Sequence, residues 1–318
     1  MTEFDAIQRF FRWPTPAASL GPGDDCALWE VPAGQQLAIS SDMLVSGRHF
    51  FADTDPEGLG HKALAVNLSD LAAMGARPQA FTLALALPEL NTDWLAAFSR
   101  GMRRLAEAHH CALIGGDTTA GPLNISITVL GHVPQGQALR RDGAQVGDDI
   151  YVSGSIGDAR LALQHALQPP LSPWSDADQA YLRQRLERPS PRVDLGLALR
   201  GVATAAMDLS DGLAGDLPHL LKASACGAQV DLEALPLSTV LRQLPAPEAW
   251  TLAASGGDDY ELLFTAPAHQ RAAVAALGRQ LDVPLTRIGH ITSTPGLHWQ
   301  SASGLQATSP LQGFDHFA

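Results

Sequence analysis

Residues Thr204-Ala205-Ala206-Met207-Asp208-Leu209-Ser210-Asp211-Gly212-Leu213 open on an apolar run, turn through Ser and two Asp, and restart behind a glycine. This spacing predicts a strand over Thr204 to Met207, an acidic turn, and a helix from Gly212. The same alternation runs through the rest of the second half. A strand is expected at Ile150 to Val152 and a helix from Asp158. A Pro-rich loop follows at Gln168 to Ser175, with helices to about Arg200. Beyond the quoted stretch come strands at Gln229 to Leu232 and Tyr260 to Thr265, a helix from Ala268 to Arg279, and a short terminal hairpin. Strands alternating with helices make the fold class α/β, a mixed α+β chain whose C-terminal half is an α/β layer sandwich.

Working back toward the N-terminus, Thr2 and Asp5 form a capping box for a helix to Phe11, with Phe4, Ile7, Phe10 and Phe11 on one face. Two apolar runs, Cys26 to Val31 and Gln36 to Ser41, flank Pro32-Ala33-Gly34 and read as a strand hairpin. Asp55-Pro56 opens a long helix to about Met74. Phe81 to Leu87 is a buried strand, Asn91 to His109 a second long helix, Cys111 to Ile114 a short strand, and Asn124 to Val133 another. The polar, glycine-bearing run from Pro134 to Asp149 separates a domain of residues 1–137 from one of 138–318.

The 318 residues carry a net charge of -12, which argues against a nucleic-acid binder, since phosphate-backbone binding needs a concentrated basic stripe. No apolar run is long enough to span a membrane, and the N-terminus has acids where a signal peptide would be basic. Cys26, Cys111 and Cys226 are widely separated, so neither a zinc knuckle nor a disulfide framework is expected and the reducing cytoplasm fits. The acids divide into 24 Asp and 9 Glu. Asp belongs to turns, caps and hard-metal sites rather than helix surfaces.

Six segments place small residues and aspartate near the end of an apolar run: Gly23-Asp24-Asp25, Ser40-Ser41-Asp42, Ser69-Asp70, Gly115-Gly116-Asp117, the Asp208-to-Gly212 turn, and Gly256-Gly257-Asp258-Asp259. Any one alone is a turn or a cap; the recurrence is the signal. Asp70 stands out because it sits in an alanine-rich helix with Asn67 one turn before it. Asp53, Asp55, Asp148 and Asp149 read as turn residues. Two carboxylates roughly 4 Å apart repel by about 4 kcal/mol at an effective dielectric near 20, so a converging set must protonate or hold cations. Oxygen-only ligands select Mg²⁺, which completes its shell with water and phosphate oxygens.

That chemistry points to phosphoryl transfer without the common architectures. Lys62 and Lys222 are the two lysines, and neither follows a Walker glycine loop. Ser153-Gly154-Ser155-Ile156-Gly157-Asp158 supplies a G-x-x-G better suited to close helix–strand packing than to a dinucleotide. Asp53-Thr54-Asp55 mimics a phosphatase D-x-D, but the following Pro56 marks it as a helix cap.

Taken in order, with Arg140-Arg141-Asp142-Gly143-Ala144 and the closing Gly313-Phe314-Asp315-His316-Phe317, the six segments resemble the thiamine-monophosphate kinases. Those enzymes share a superfamily with aminoimidazole ribonucleotide synthetase and selenophosphate synthetase. The resemblance runs from Gly23 to Phe317, and the segments MDLSDGL and GGDDYELLF carry it most specifically. It implies a two-domain subunit that forms a homodimer through its N-terminal sheet, with ATP and several Mg²⁺ held between the domains. It further implies that Asp25, Ser40, Ser41, Asp42, Asp70, Asp117, Asp208 and Asp211 are metal ligands, with Asp42, Asp70 and Asp117 central to catalysis. Gly116, Asp117, Arg141 and Ser210 would contact ATP; His49, Asp258 and Phe314 would contact thiamine monophosphate. The family usually carries Glu where Asp258 stands, and an aromatic that stacks on adenine in some members falls near Ser99. Other synthetases of the superfamily, a metal-dependent phosphatase and a metal-stabilised binding protein are the alternatives.

Overall fold

The computed structural model describes residues 2–14, 21–22, 25–168, 174–304, 307–308 and 311–314. Two compact units emerge: Met1–Leu71 with Ala76–Ala138, and Ala72–Gly75 with Leu139–Ala318.

In the first unit the Thr2–Asp5 capping box starts α1 (Glu3–Ala6), which passes into a π-helical turn over Ile7–Phe11. The strands are β1 (Gln35–Val45), β2 (Arg77–Leu87), β3 (Ala112–Ala120) and β4 (Asn124–Pro134), in the sheet order β1-β4-β2-β3. β4 runs antiparallel to both neighbours, and β2 and β3 are parallel. Helices α2 (Pro56–Ala73) and α3 (Thr92–Ala108) supply the core, with Leu64, Leu68, Leu95, Phe98 and Met102 buried beside Phe81 and Ile127. α2 is buried nearly all round, which explains why its sequence has no polar face. It crosses α3 backbone to backbone: a Cβ on Gly60 would stand 2.0 Å from the Phe98 carbonyl oxygen, and one on Gly101 1.9 Å from that of Glu57. Leu37, Ile39 and Met43 project from the other side of β1 and are exposed.

The expected hairpin before β1 does not form. Residues 26–31 make only an isolated bridge, and Gln35 at the start of β1 pairs with Pro134 of β4 instead. β4 pairs with β1 along its whole length, and among the described residues the other side of β1 stays an open edge.

The second unit is built on a mixed sheet ordered β10-β7-β9-β5-β8-β6. Its strands are β5 (Asp149–Ser153), β6 (Ala205–Asp208), β7 (Gly227–Asp231), β8 (Leu262–Ala266), β9 (Leu285–Thr292) and β10 (Gly296–Gln300). Helices α4 (Asp158–Leu167), α5 (Asp176–Glu187), α6 (Val193–Leu199), α7 (Leu213–Ala223), α8 (Ala246–Ser255) and α9 (Arg271–Leu281) complete it. Ile150 and Val152 enter a core with Leu217, Leu220, Trp250 and Ile288, while Tyr151, pointing the opposite way, stacks on Phe264 at 5.2 Å. Alternation along β5 thus feeds both faces of the sheet, the expected layered α/β arrangement.

Two further expectations change. β9 and β10 are not a hairpin, because β7 lies between them and β10 pairs with it in parallel. Asp149 is not a turn residue either. It is buried in β5, where its carboxylate accepts from Arg271 at 2.6 and 2.8 Å and from Arg287 at 3.1 Å. The packing reading of Ser153–Asp158 fits: a Cβ on Gly157 (φ +92°) would meet the Ala253 backbone of α8 at 2.7 Å. Asp55 caps α2, accepting from the Gly58 amide at 2.9 Å.

Candidate active site

Strand alternation sorts the acidic residues of the first unit. Ser40 and Asp42 point from β1 toward α2: the Ser40 hydroxyl donates to Asp70 at 2.5 Å, and the Asp42 amide donates to Asn67 Oδ1 at 3.2 Å. Asn67 is itself held by donating to the Ala63 carbonyl at 3.0 Å, one turn back along α2. Burial, and then the charge of Asp70, push the Asp42 carboxyl up to about 6. Ser41 faces the other way, donating to the Ile127 carbonyl at 3.0 Å. His49 lies in the turn after β1, where its Nδ1 accepts from the Val45 amide at 3.0 Å and Nε2 carries the ring proton.

Asp117 is not in this group. It sits on β3 in one cross-strand row with Ala84, Ser126 and Met43, on the open face and at the far edge of the sheet from β1. Adjacent Gly116 has φ +149°, and a Cβ there would lie 1.8 Å from the Leu83 carbonyl oxygen, so only glycine fits. Gly116, Asp117 and Asp25 line a cavity of about 860 Å³. Gly23 and Asp24 lie outside the described residues.

In the second unit three loops are stitched together by their backbones. The Asp258 amide donates to the Ser210 carbonyl at 2.9 Å, the Tyr260 amide to Leu209 at 2.9 Å, and the Phe314 amide to Asp211 at 3.0 Å. Asp208, Ser210, Asp211, Asp258 and Phe314 are therefore brought to one region. Asp258 and Tyr260 have φ of +68° and +51°, left-handed conformations that cost energy in non-glycine residues and persist only where the surroundings impose them. Arg141 stands apart. Its carbonyl accepts from Ser224 at 2.7 Å, just past the C-terminus of α7, whereas Ser210 lies before the N-terminus of that helix, about 16 Å away at 1.5 Å per residue. Asp315, His316 and Phe317 lie outside the described residues.

Family models for the AIR synthase related protein match this chain in both parts, the N-terminal domain over residues 23–133 and the C-terminal domain over 145–300. The thiamine-monophosphate kinase of Escherichia coli strain K12 is 49% identical over 321 residues, spanning 99% of this chain and 98% of its own. This chain belongs to the thiamine-monophosphate kinase family. A crystal structure of the family member from Stenotrophomonas maltophilia K279a is 52% identical, covers 90% of this chain and 92% of its own, and superposes with a TM-score of 0.85. The structure of AaThiL complexed with AMPPCP and TMP is 29% identical over 99% of this chain and 96% of its own, at a TM-score of 0.78. Hydrogenase maturation protein HypE shares the fold, at 22% identity and a TM-score of 0.73.

Beneath the kinase family's GGDDYELLF segment lies a buried ionic network that motif spacing did not reveal. Glu261, fully buried, accepts from Arg192 twice at 2.6 Å and from the Ser153 hydroxyl at 2.5 Å. Asp259 accepts from the Gly157 amide at 2.7 Å, and burial raises its carboxyl well above the ordinary range despite nearby Arg185. Asp216, in the first turn of α7, accepts from the amides of Ser210 and Asp211 at 3.0 Å each, fixing the acidic turn from behind. The available signal was the alternation of acids in Asp259-Tyr260-Glu261, which puts two carboxylates on the inner side of one loop.

Among the described residues, no group of three or more His, Cys, Asp or Glu is disposed to hold a metal ion, and no helix is long and apolar enough to cross a membrane. The oxygen donors do fit a hard cation: Ser40, Asp42 and Asp70 form a compact set in which two carboxylates repel each other.

Proposed function

We propose that this chain transfers the γ-phosphoryl group of ATP to the terminal phosphate of thiamine monophosphate, giving thiamine diphosphate and ADP. The observation that carries the reading is full-length similarity to thiamine-monophosphate kinases at 49% identity. A structural neighbour holding AMPPCP and TMP together supports the pairing of a nucleotide donor with that acceptor. The acceptor is an anionic phosphate oxygen that attacks the γ-phosphorus as the β–γ bridging bond breaks, so no general base or protein nucleophile is needed. The work left to the protein is to hold two polyanions in line.

Asp42 and Asp70 are the residues we assign to hold Mg²⁺, with Asp25, Ser40, Ser41, Asp117, Asp208 and Asp211 completing the set directly or through water. Several such ions, when bound, supply neutralisation of the facing phosphates. The raised Asp42 carboxyl supports this assignment, because a cation relieves the repulsion that burial beside Asp70 creates. Gly116, Arg141 and Ser210 are proposed to contact ATP, and His49, Asp258 and Phe314 the thiamine monophosphate. Asp258 is one methylene shorter than the Glu usual in the family, and its left-handed backbone, tied to Ser210, is the feature that would carry it forward.

The same reading includes a homodimer, a division into domains of residues 1–137 and 138–318, and a cytoplasmic location. Exposed Leu37, Ile39 and Met43 on β1 support the dimer, since a long apolar edge strand invites a partner. So does the separation of Asp117 from Asp42 by the whole width of the sheet, which a second copy with its β3 beside β1 would shorten to one inter-strand step. Incubation of the purified chain with ATP, Mg²⁺ and thiamine monophosphate is the direct test. Thiamine diphosphate formed only without chelator supports the kinase; release of inorganic phosphate alone overturns it.

A further inference from the structure

Asp216 is buried in the first turn of α7, where its own amide donates to the Gly212 carbonyl at 2.8 Å. Leu213, Leu217 and Leu220 of the same helix lie in the core, so the carboxylate projects from a firmly packed element. One of its oxygens, Oδ2, accepts from both the Ser210 and the Asp211 amides, at 3.0 Å each.

A trans peptide is planar, and its N–H and C=O point in opposite directions. The Ser210 amide shares its plane with the Leu209 carbonyl, and the Asp211 amide shares its plane with the Ser210 carbonyl. Those two carbonyls accept from the amides of Tyr260 and Asp258, at 2.9 Å each. Two consecutive planes are thus held at one end by Asp216 and at the other by the two left-handed residues of the GGDDYELLF loop. The loops meet backbone to backbone: a Cβ on Gly257 would stand 2.4 Å from the Ser210 carbonyl oxygen. Left-handed residues other than glycine persist only where their surroundings impose the conformation, and bonds to two fixed carbonyls supply part of that constraint. The Tyr260 hydroxyl in turn donates to Asp258 Oδ1 at 3.2 Å, which ties the Asp258 side chain to the same pair of planes.

We propose that Asp216 is a positioning residue for the phosphoryl acceptor. Acting through the 209–210 and 210–211 peptide planes, it fixes where Asp258 presents its carboxylate to thiamine monophosphate. The proposal rests on the assignment of Asp258 to that substrate. Removal of Oδ2 frees both planes to rotate, and the acceptor side of the site loosens although the altered side chain lies behind the turn.

Steady-state kinetics of the full chain at saturating ATP and Mg²⁺ test it, with thermal melts to confirm that each variant is folded. Asp216→Ala, and Asp216→Ser, whose hydroxyl is too short to reach the amides, are each expected to raise the KM for thiamine monophosphate about tenfold. Asp216→Asn keeps an oxygen acceptor in place and recovers most of that loss. In an Asp258→Ala background the same Ala and Ser substitutions change the KM by less than about twofold, because the contact they act through is already gone. A residue that only supports the fold would lower the melting temperature without producing this non-additivity. An unchanged KM in both variants overturns the proposal, as does an equal rise in the Asp258→Ala background or an Asn variant no better than Ala. Two variants that both fail to fold make Asp216 a residue of the fold alone and overturn it too. Wild-type chain that forms no thiamine diphosphate overturns the kinase reading, and the proposal with it.

Discussion

Asp42 and Asp117 stand on the two opposite edge strands of one four-stranded sheet, β1 and β3. Three inter-strand steps of about 4.8 Å separate those strands, roughly 14 Å, too far for both carboxylates to serve one cation within a single copy. On the proposed homodimer each site draws Asp42 from one copy and Asp117 from the other. Asp42→Asn and Asp117→Asn chains are then each inactive alone, but a mixture allowed to exchange subunits regains about a quarter of wild-type turnover, because half the dimers are mixed and each contains one intact site. Turnover that stays at the single-variant level after verified exchange would rule out the shared site.

Asp42→Asn separates catalysis from stability. Removing a carboxylate whose ionisation is opposed by burial and by Asp70 is expected to leave the melting temperature unchanged or slightly raised. Turnover is expected to fall by about two orders of magnitude or more, the scale on which electrostatic contacts to transferring phosphoryl groups act. Paired thermal melts and product assays check both halves.

Glu261→Ala tests the buried network. Truncation leaves Arg192 without its carboxylate, takes one of the acids from Arg185, which keeps Asp158, and frees the Ser153 hydroxyl, a loss of about 3–5 kcal/mol for a broken buried pair. Denaturant unfolding measures it. A loss below about 1 kcal/mol would mean the arginines reach solvent or another acid without cost.

Asp149 gives a pH dependence of stability. Hydrogen bonds from Arg271, then Arg287, outweigh burial and hold its carboxyl below the ordinary 3.8. The folded-state value is depressed, so its stabilisation is fully present above about 3.8 and disappears as pH falls through the lower folded value. Asp149→Asn is expected to be less stable than wild type at neutral pH, and the gap to narrow steadily below about pH 4. Both arginines are half exposed, so the effect at neutrality is modest and shrinks with added salt. A gap that widens on acidification would reverse the sign.

The parts of the fold readable from spacing were those set by local chemistry. Thr2 and Asp5 cap α1 and Asp55 caps α2 because a side-chain oxygen one turn from an amide needs no distant partner. The strand, acidic turn and helix around Asp208–Leu213 form for the same reason. Misjudged elements all depended on a remote competitor. Cys26 to Val31 is apolar enough for a strand, yet β1 finds its partner in the distant β4; β10 joins β7 rather than its sequence neighbour β9. Asp149 has the composition of a turn residue and becomes a buried ion-pair partner because Arg271 and Arg287 arrive from 122 and 138 residues away.

By itself the sequence determined the family, since recurring aspartates beside small residues and the order of MDLSDGL and GGDDYELLF carry the likeness to the thiamine-monophosphate kinases. Only the tertiary structure decided how those aspartates are grouped. Ser40, Asp42 and Asp70 meet because alternation along β1 points two of them at one turn of α2, while Asp117 is carried to the far edge and other face of the same sheet. Side-chain type is a property of each position, but which carboxylates repel, share a cation or face an arginine depends on strand order and register. Those are settled by long-range pairing and packing, which no local spacing encodes.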